Sequence, residues 1–251
     1  MKRHTWRWGL LGLTAYLLFL LATLPAVYAT AWLEKRLPQV QLAGVDGSIW
    51  SGAAREFTYS GRSWGALRWH FDWRAPFSGH LGYRLQLHGA GNTLQGRIAA
   101  SAAGTLFFQD VRGQLPVTEI ELWVPLPPGS IDGTLSLQLV RLVLAHGRPI
   151  AAQGNVTLTG ATLNWPQAVA LGSYQLKLRT HSGTGIEGSL LDTSGPLMLQ
   201  GTLNLAPDGH YQLSGRLASR DPGDAAISHL LQYLGPVNAA GNHPFQFSGQ
   251  W

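Results

Sequence analysis

From Pro38 onward, apolar residues recur with a period of two. Trp69, Phe71 and Trp73 alternate with Arg68, His70 and Asp72, and Tyr83, Leu85 and Leu87 with Arg84, Gln86 and His88. Leu135, Leu137 and Leu139 repeat the pattern, as do Val156 and Leu158, Tyr174, Leu176 and Leu178, Leu203 and Leu205, and Tyr211 and Leu213. This period predicts strands with one buried and one polar face. The connections are short and turn-rich, as at Ala90-Gly91-Asn92, Thr193–Pro196 and Pro207-Asp208-Gly209, which favours antiparallel neighbours. Leu139–Leu144 reads as apolar on both faces. Pro222–Leu234 is the one stretch with helical spacing.

The N-terminal pattern is different. From Trp8 to Leu33 no Asp, Glu, Lys or Arg occurs. A helix over residues 8–28 would be about 31 Å long, enough for a ~30 Å hydrocarbon core. Trp8 lies at one end, Leu17 near the middle, and Pro25, Tyr28 and Trp32 at the other, with the aromatic rings placed as interfacial belts. A cleavable signal peptide is the competing reading, with Ala29-Thr30-Ala31 as its small-residue site. The length and the aromatic flanks favour an uncleaved anchor. Lys2, Arg3 and Arg7 precede the apolar segment, so both readings place the remainder outside the cytoplasm. The expected organisation is a cytoplasmic basic N-terminus (1–7), a single transmembrane anchor (8–33) and a β-rich domain (34–251).

The fold class that follows is mainly β: one N-terminal transmembrane helix, then a curved, mostly antiparallel sheet with one short C-terminal helix. Composition narrows the function. Only 12% of the 251 residues are charged, about half the usual ~25%, which excludes intrinsic disorder. The formal charge of +5 resides largely in the three basic residues before the anchor. The body is nearly neutral, with no basic run, and a nucleic-acid partner is not expected. The absence of cysteine removes disulfides and thiol chemistry. The 31 glycines, many inside strand patterns such as Gly133–Leu137 and Gly201–Leu205, predict bulges and a bent sheet with an apolar concave face.

Two motifs that suggest chemistry lack the context they need. Gly61-Arg62-Ser63-Trp64-Gly65 matches a nucleophile elbow, but strand alternation follows it where a helix is required. Gly183–Gly188 matches a dinucleotide fingerprint, again with strands after it. The nine histidines are scattered, without metal-ligand spacing. No catalytic residue, metal or cofactor is expected.

Gly44-Val45-Asp46-Gly47-Ser48-Ile49-Trp50-Ser51-Gly52-Ala53-Ala54 is less generic. A G-V-x-G-x-[IL]-W-x-G-x-A run soon after a signal anchor resembles the start of the exported domain of the type II secretion system protein N family. The Leu24-Pro25-Ala26 end of the anchor, the tryptophan strand Leu67–Trp73 and the closing strand Phe245–Gly249 are similar too. The resemblance implies a non-enzymatic accessory protein of the bacterial inner membrane, single-pass, with its bulk in the periplasm and other secretion components as partners. Gly44, Gly47, Trp50, Gly52, Trp69, Phe71 and Trp73 are the candidate motif and interaction residues. The Gly-x-Leu-x-Leu strands are similar to those of AsmA/TamB-type proteins, which implies an alternative role in binding or transferring phospholipid along an apolar groove.

Overall fold

The computed structural model describes residues 12–14, 16, 19, 20, 22–119, 131–164, 168–181, 185–232, 237, 238 and 241–250. The chain divides into two compact units, one comprising Met1–Trp73 and Tyr83–Ala90, the other Arg74–Gly82 and Gly91–Trp251.

In the first unit, helix α1 (Ala26–Arg36) precedes strands β1 (Val40–Ala43), β2 (Asp46–Gly47), β3 (Ser51–Tyr59) and β4 (Arg62–Phe71), and the unit takes in β5 (His80–His88) from Tyr83. Pairing is antiparallel in the order β1-β3-β4-β5, with β2 also on β3. Register places Ala54 opposite Leu67 and Leu67 opposite Leu87. On the same face, Gly52 lies opposite Trp69 and Trp69 opposite Leu85. Residues two apart share a face, so the alternation legible in sequence becomes the core of Ala26, Ala54 and Trp69, packed by Leu42, Val45, Leu67, Tyr83 and Leu85.

The second unit is a meander of nine described strands: β6 (Thr93–Ser101), β7 (Thr105–Pro116), β8 (Ile131–Ala145), β9 (Arg148–Leu163), β10 (Val169–His181), β11 (Gly185–Ser194), β12 (Leu197–Leu205), β13 (His210–Ser219) and β14 (His243–Gln250). Each pairs antiparallel with the next, and among the described strands the sheet does not close on itself.

Three expectations need correction. The apolar segment does not continue as one helix through residue 33. Helical residues reach 22, and Pro25 is extended (φ −65°, ψ 140°) and bridged to Ser48 before α1 begins. Among the described residues no helix is long and apolar enough to cross a membrane; Trp8 and Leu17 lie outside them. The second correction is one of bounds: the helix expected at Pro222–Leu234 is α2, Ala225–Gln232, and the closing strand expected at Phe245–Gly249 follows it as β14. Asp224 caps it by accepting the Ala226 and Ile227 backbone N–H groups at 3.0 and 3.1 Å, leaving Pro222-Gly223 in the preceding turn. The stretch 233–234 lies outside the described residues. Finally, Trp73 falls beyond the end of β4, so the stripe Trp69-Phe71-Trp73 is split.

Ser63 is an exposed residue of β4 just after the Ser60-Gly61 hairpin turn, both turn residues having positive φ. No helix follows Gly185, which opens β11; residues 183 and 184 lie outside the described set. Neither motif has the geometry its chemistry requires.

Candidate functional site

The Gly44–Ala54 run folds as a tight turn. Gly47 has φ +92° and pairs with Gly52. The Ser48 hydroxyl accepts the backbone N–H groups of Trp50 and Ser51 at 3.3 and 3.2 Å, and Ser48 N–H donates to the Ser51 carbonyl at 2.9 Å. The Trp69 ring lies across this turn and donates its indole N–H to the Ser48 carbonyl at 3.1 Å. A Cβ on Gly52 would stand 2.5 Å from the Trp69 ring and 2.6 Å from the Asp46 carbonyl oxygen, so only glycine fits beneath the tryptophan.

Trp50 projects from the turn into an aromatic group. It stacks on Trp73 at 4.9 Å and meets the Phe71 ring edge-on at 4.8 Å; Phe71 in turn meets Tyr83 at 5.3 Å. Burial raises the Tyr83 phenol pKa. Phe71 is buried, whereas Trp73 is 62% exposed. The group therefore grades from core to surface, ending in a stacked Trp50–Trp73 pair. Stacked aromatics with one face open form the kind of rigid contact area enriched at interaction hot spots.

The same turn receives the end of the apolar leader. Ile49 N–H donates to the Leu24 carbonyl at 3.1 Å, Pro25 is bridged to Ser48, and Ala26 is 1% exposed within the core. From the other end of α1, Glu34 accepts the Leu42 N–H at 2.7 Å. Sequence reasoning picked out Leu24-Pro25-Ala26 but not this docking, because the partners are about 25 residues away along the chain.

The second unit carries a two-faced sheet. Leu137, Val156, Leu176 and Leu190 stand opposite one another on β8 to β11. A second rung on that face runs Leu139, Gly154, Leu178, Gly188, Leu203, Leu213 and Phe247. Between the two, on the opposite face, lie Gln138, Asn155, Lys177, Ser189, Thr202, Ser214 and Gln246. Leucines close over Gly188, where a Cβ would come within 2.9 Å of Leu176 Cδ1. Helix α2 covers one end of the apolar face, its Ile227 and Leu231 packed with Leu197 against Val169, Leu171 and Leu217. The central leucines remain only half-buried.

Tyr174 lies beside that end, donating its hydroxyl to the Leu171 and Leu197 carbonyls at 2.9 and 3.3 Å. Burial, then the Asp192 charge, pushes its pKa up to about 12. The folded state thus holds the phenol proton more tightly than the unfolded chain, where the value is about 10. Its contribution to stability is complete below pH ~10 and is lost as pH rises through the folded value. Tyrosinate absorbance should show one phenol ionising near pH 12, with the unfolding free energy falling between pH 10 and 12.

Of the candidate residues, Gly44, Gly47, Trp50, Gly52, Trp69, Phe71 and Trp73 all lie in the first unit. Gly47, Gly52 and Trp69 build the turn, and Trp50, Phe71 and Trp73 form the aromatic group. Gly44 (φ +63°) sets the approach to the turn, where a side chain would press on Arg55. Among the described residues no three His, Asp or Glu side chains converge as a metal site.

Geometry alone defines an antiparallel β protein with an aromatic surface pair, an apolar sheet face and a leader built into its first core. Comparison with known proteins supplies the family. Residues 38–246 match the family model described as type II secretion system (T2SS), protein N. The chain belongs to this family, whose members are non-enzymatic components of the bacterial secretion apparatus in the cell envelope. It is similar to type II secretion system protein N of Aeromonas hydrophila, 29% identical over 248 residues and covering 96% of each chain. The Vibrio cholerae protein of that description is 26% identical, with 100% of both chains covered. The Klebsiella pneumoniae protein is 27% identical over 97% of this chain and 95% of its own. No solved structure matches the chain.

Proposed function

We propose that this protein is a single-pass inner-membrane accessory of the secretion machine whose β units stand in the periplasm and bind other components of the inner-membrane platform. The observation that carries the reading is the built-in leader. Ala29-Thr30-Ala31 lies within α1, flanked by Ala26 in the core and Glu34 bonded to β1. A peptidase needs an extended substrate, so this helix resists cleavage, and removing it would open the core. The β units then stay tethered. Exposed Trp73, stacked on half-buried Trp50, is the favoured protein contact.

The half-buried apolar rungs of β8 to β13 favour a second reading, in which the same protein holds a phospholipid chain along that face. One preparation tests both readings. The full chain, tagged at each terminus and carrying a photo-cross-linking residue in place of Trp73, is purified from the envelope of a strain that carries the system. Both tags should remain on one chain, and cross-links should reach secretion components of the inner membrane. Loss of the N-terminal tag, or cross-links to none of those components, would overturn the first reading. Native mass spectrometry without bound phospholipid would remove the second.

A further inference from the structure

We propose that α1 lies along the outer surface of the bilayer and binds anionic phospholipid headgroups, holding the first β unit against the membrane. The proposal rests on the anchor reading and adds to it a second membrane contact in a different orientation. The leader and α1 are two separate segments. Thr23 closes the preceding helical residues, with its N–H and hydroxyl both donated to the Phe19 carbonyl at 3.0 and 2.8 Å, and the chain then turns through Leu24 and the extended Pro25.

Pro25 is extended and bridged to Ser48, so α1 does not continue the leader helix, and the interfacial preference of its Tyr28 and Trp32 rings puts it at headgroup depth. Its two faces fit that place. Ala26 and Glu34 turn toward the β unit, and Glu34, the only acid of the helix, is occupied by the Leu42 N–H. The outward face presents Tyr28 (71% exposed), Trp32 (61% exposed) and Arg36 at helical spacing, with the Arg36 guanidinium 5.5 Å from the Trp32 ring centroid, and Lys35 beside them. Aromatic rings with unopposed basic side chains suit the headgroup region, and the cations favour lipids of negative charge.

The cysteine-free chain allows single reporters. Full-length A31C, L13C and S189C carry an environment-sensitive fluorophore in phosphatidylcholine vesicles, with and without phosphatidylglycerol. Nitroxides are placed on the lipid headgroup or deep in the acyl chain. The label at residue 13 should be quenched by deep nitroxides. The label at residue 31 should be quenched by headgroup nitroxides several-fold more than the one at residue 189, more strongly with phosphatidylglycerol, and this increment should vanish in K35Q/R36Q. Quenching at residue 31 no greater than at 189, with residue 13 still buried, overturns the surface helix and leaves the anchor standing. Failure at residue 13 overturns the anchor reading itself. Equal quenching at residue 31 in both lipid mixtures overturns the anionic preference.

Discussion

Trp69→Ala is expected to destabilise the first β unit by about 3–5 kcal/mol, the usual cost of emptying a buried aromatic site. Three losses coincide. The ring leaves a cavity against Ala26 and Ala54, the Ser48 carbonyl loses its indole donor, and the space above Gly52 is vacated. Ser48 is also the residue bridged to Pro25, so the damage reaches the leader. Hydrogen exchange on the full chain should rise together in peptides covering residues 46–54 and 24–36. Gly52→Ala attacks the same contact from the opposite side, placing a Cβ 2.5 Å from the ring, and should cost about 1–3 kcal/mol through overpacking. A Trp69→Ala protein with unchanged exchange at residues 24–36 would show that the leader docks independently of the turn.

The strands were legible because each carries its own alternation, and the rungs Leu137-Val156-Leu176-Leu190 follow once neighbours pair antiparallel. Leu139–Leu144 shows where that logic stops. As a pattern it is apolar on both faces, yet the register shifts at Val140: Leu139 pairs with Gly154, Arg141 with Gln153 and Leu142 with Ala152. Gly154 and Ala152 are two apart and share a face, so the bulge keeps Leu139 and Leu142 together and turns Arg141 to the other side. A bulge is set by the partner strand, which local periodicity does not contain. The leader fails to run straight for a related reason. Its composition suits one long helix, but the Ile49 N–H and the Ser48 backbone hold Leu24 and Pro25 in place. Trp73 likewise continues the aromatic alternation past the end of β4, and its stacking on Trp50, not strand pairing, decides its position. In the candidate site the turn glycines and Trp50 were legible as a motif, whereas the roles of Ser48 and Ala26 were not, because their contacts lie more than twenty residues away, and that of Glu34 was not, because it depends on how the chain folds back from α1 onto β1.

Ile227→Ala should have the largest effect on the second unit, about 2–5 kcal/mol. Ile227 is 0% exposed and, with Leu231, holds an eight-residue helix on the sheet. A helix that short is marginal on its own in water, so its stability comes from this packing rather than from the Asp224 cap. Once released, α2 should lose hydrogen-exchange protection as a unit, uncovering Leu197, Leu171 and Leu217. Those residues adjoin the two carbonyls that accept the Tyr174 hydroxyl. Water reaching them weakens the burial that raises the phenol pKa, so the late-titrating tyrosine should move down toward the ordinary value near 10. The paired readout separates causes. Loss of protection with an unchanged Tyr174 titration would mean that the sheet, not the helix, shields the phenol, and that α2 does not close the end of the apolar face. A joint shift would establish α2 as its cover, and the variant should then bind an apolar fluorescent dye more strongly than the parent.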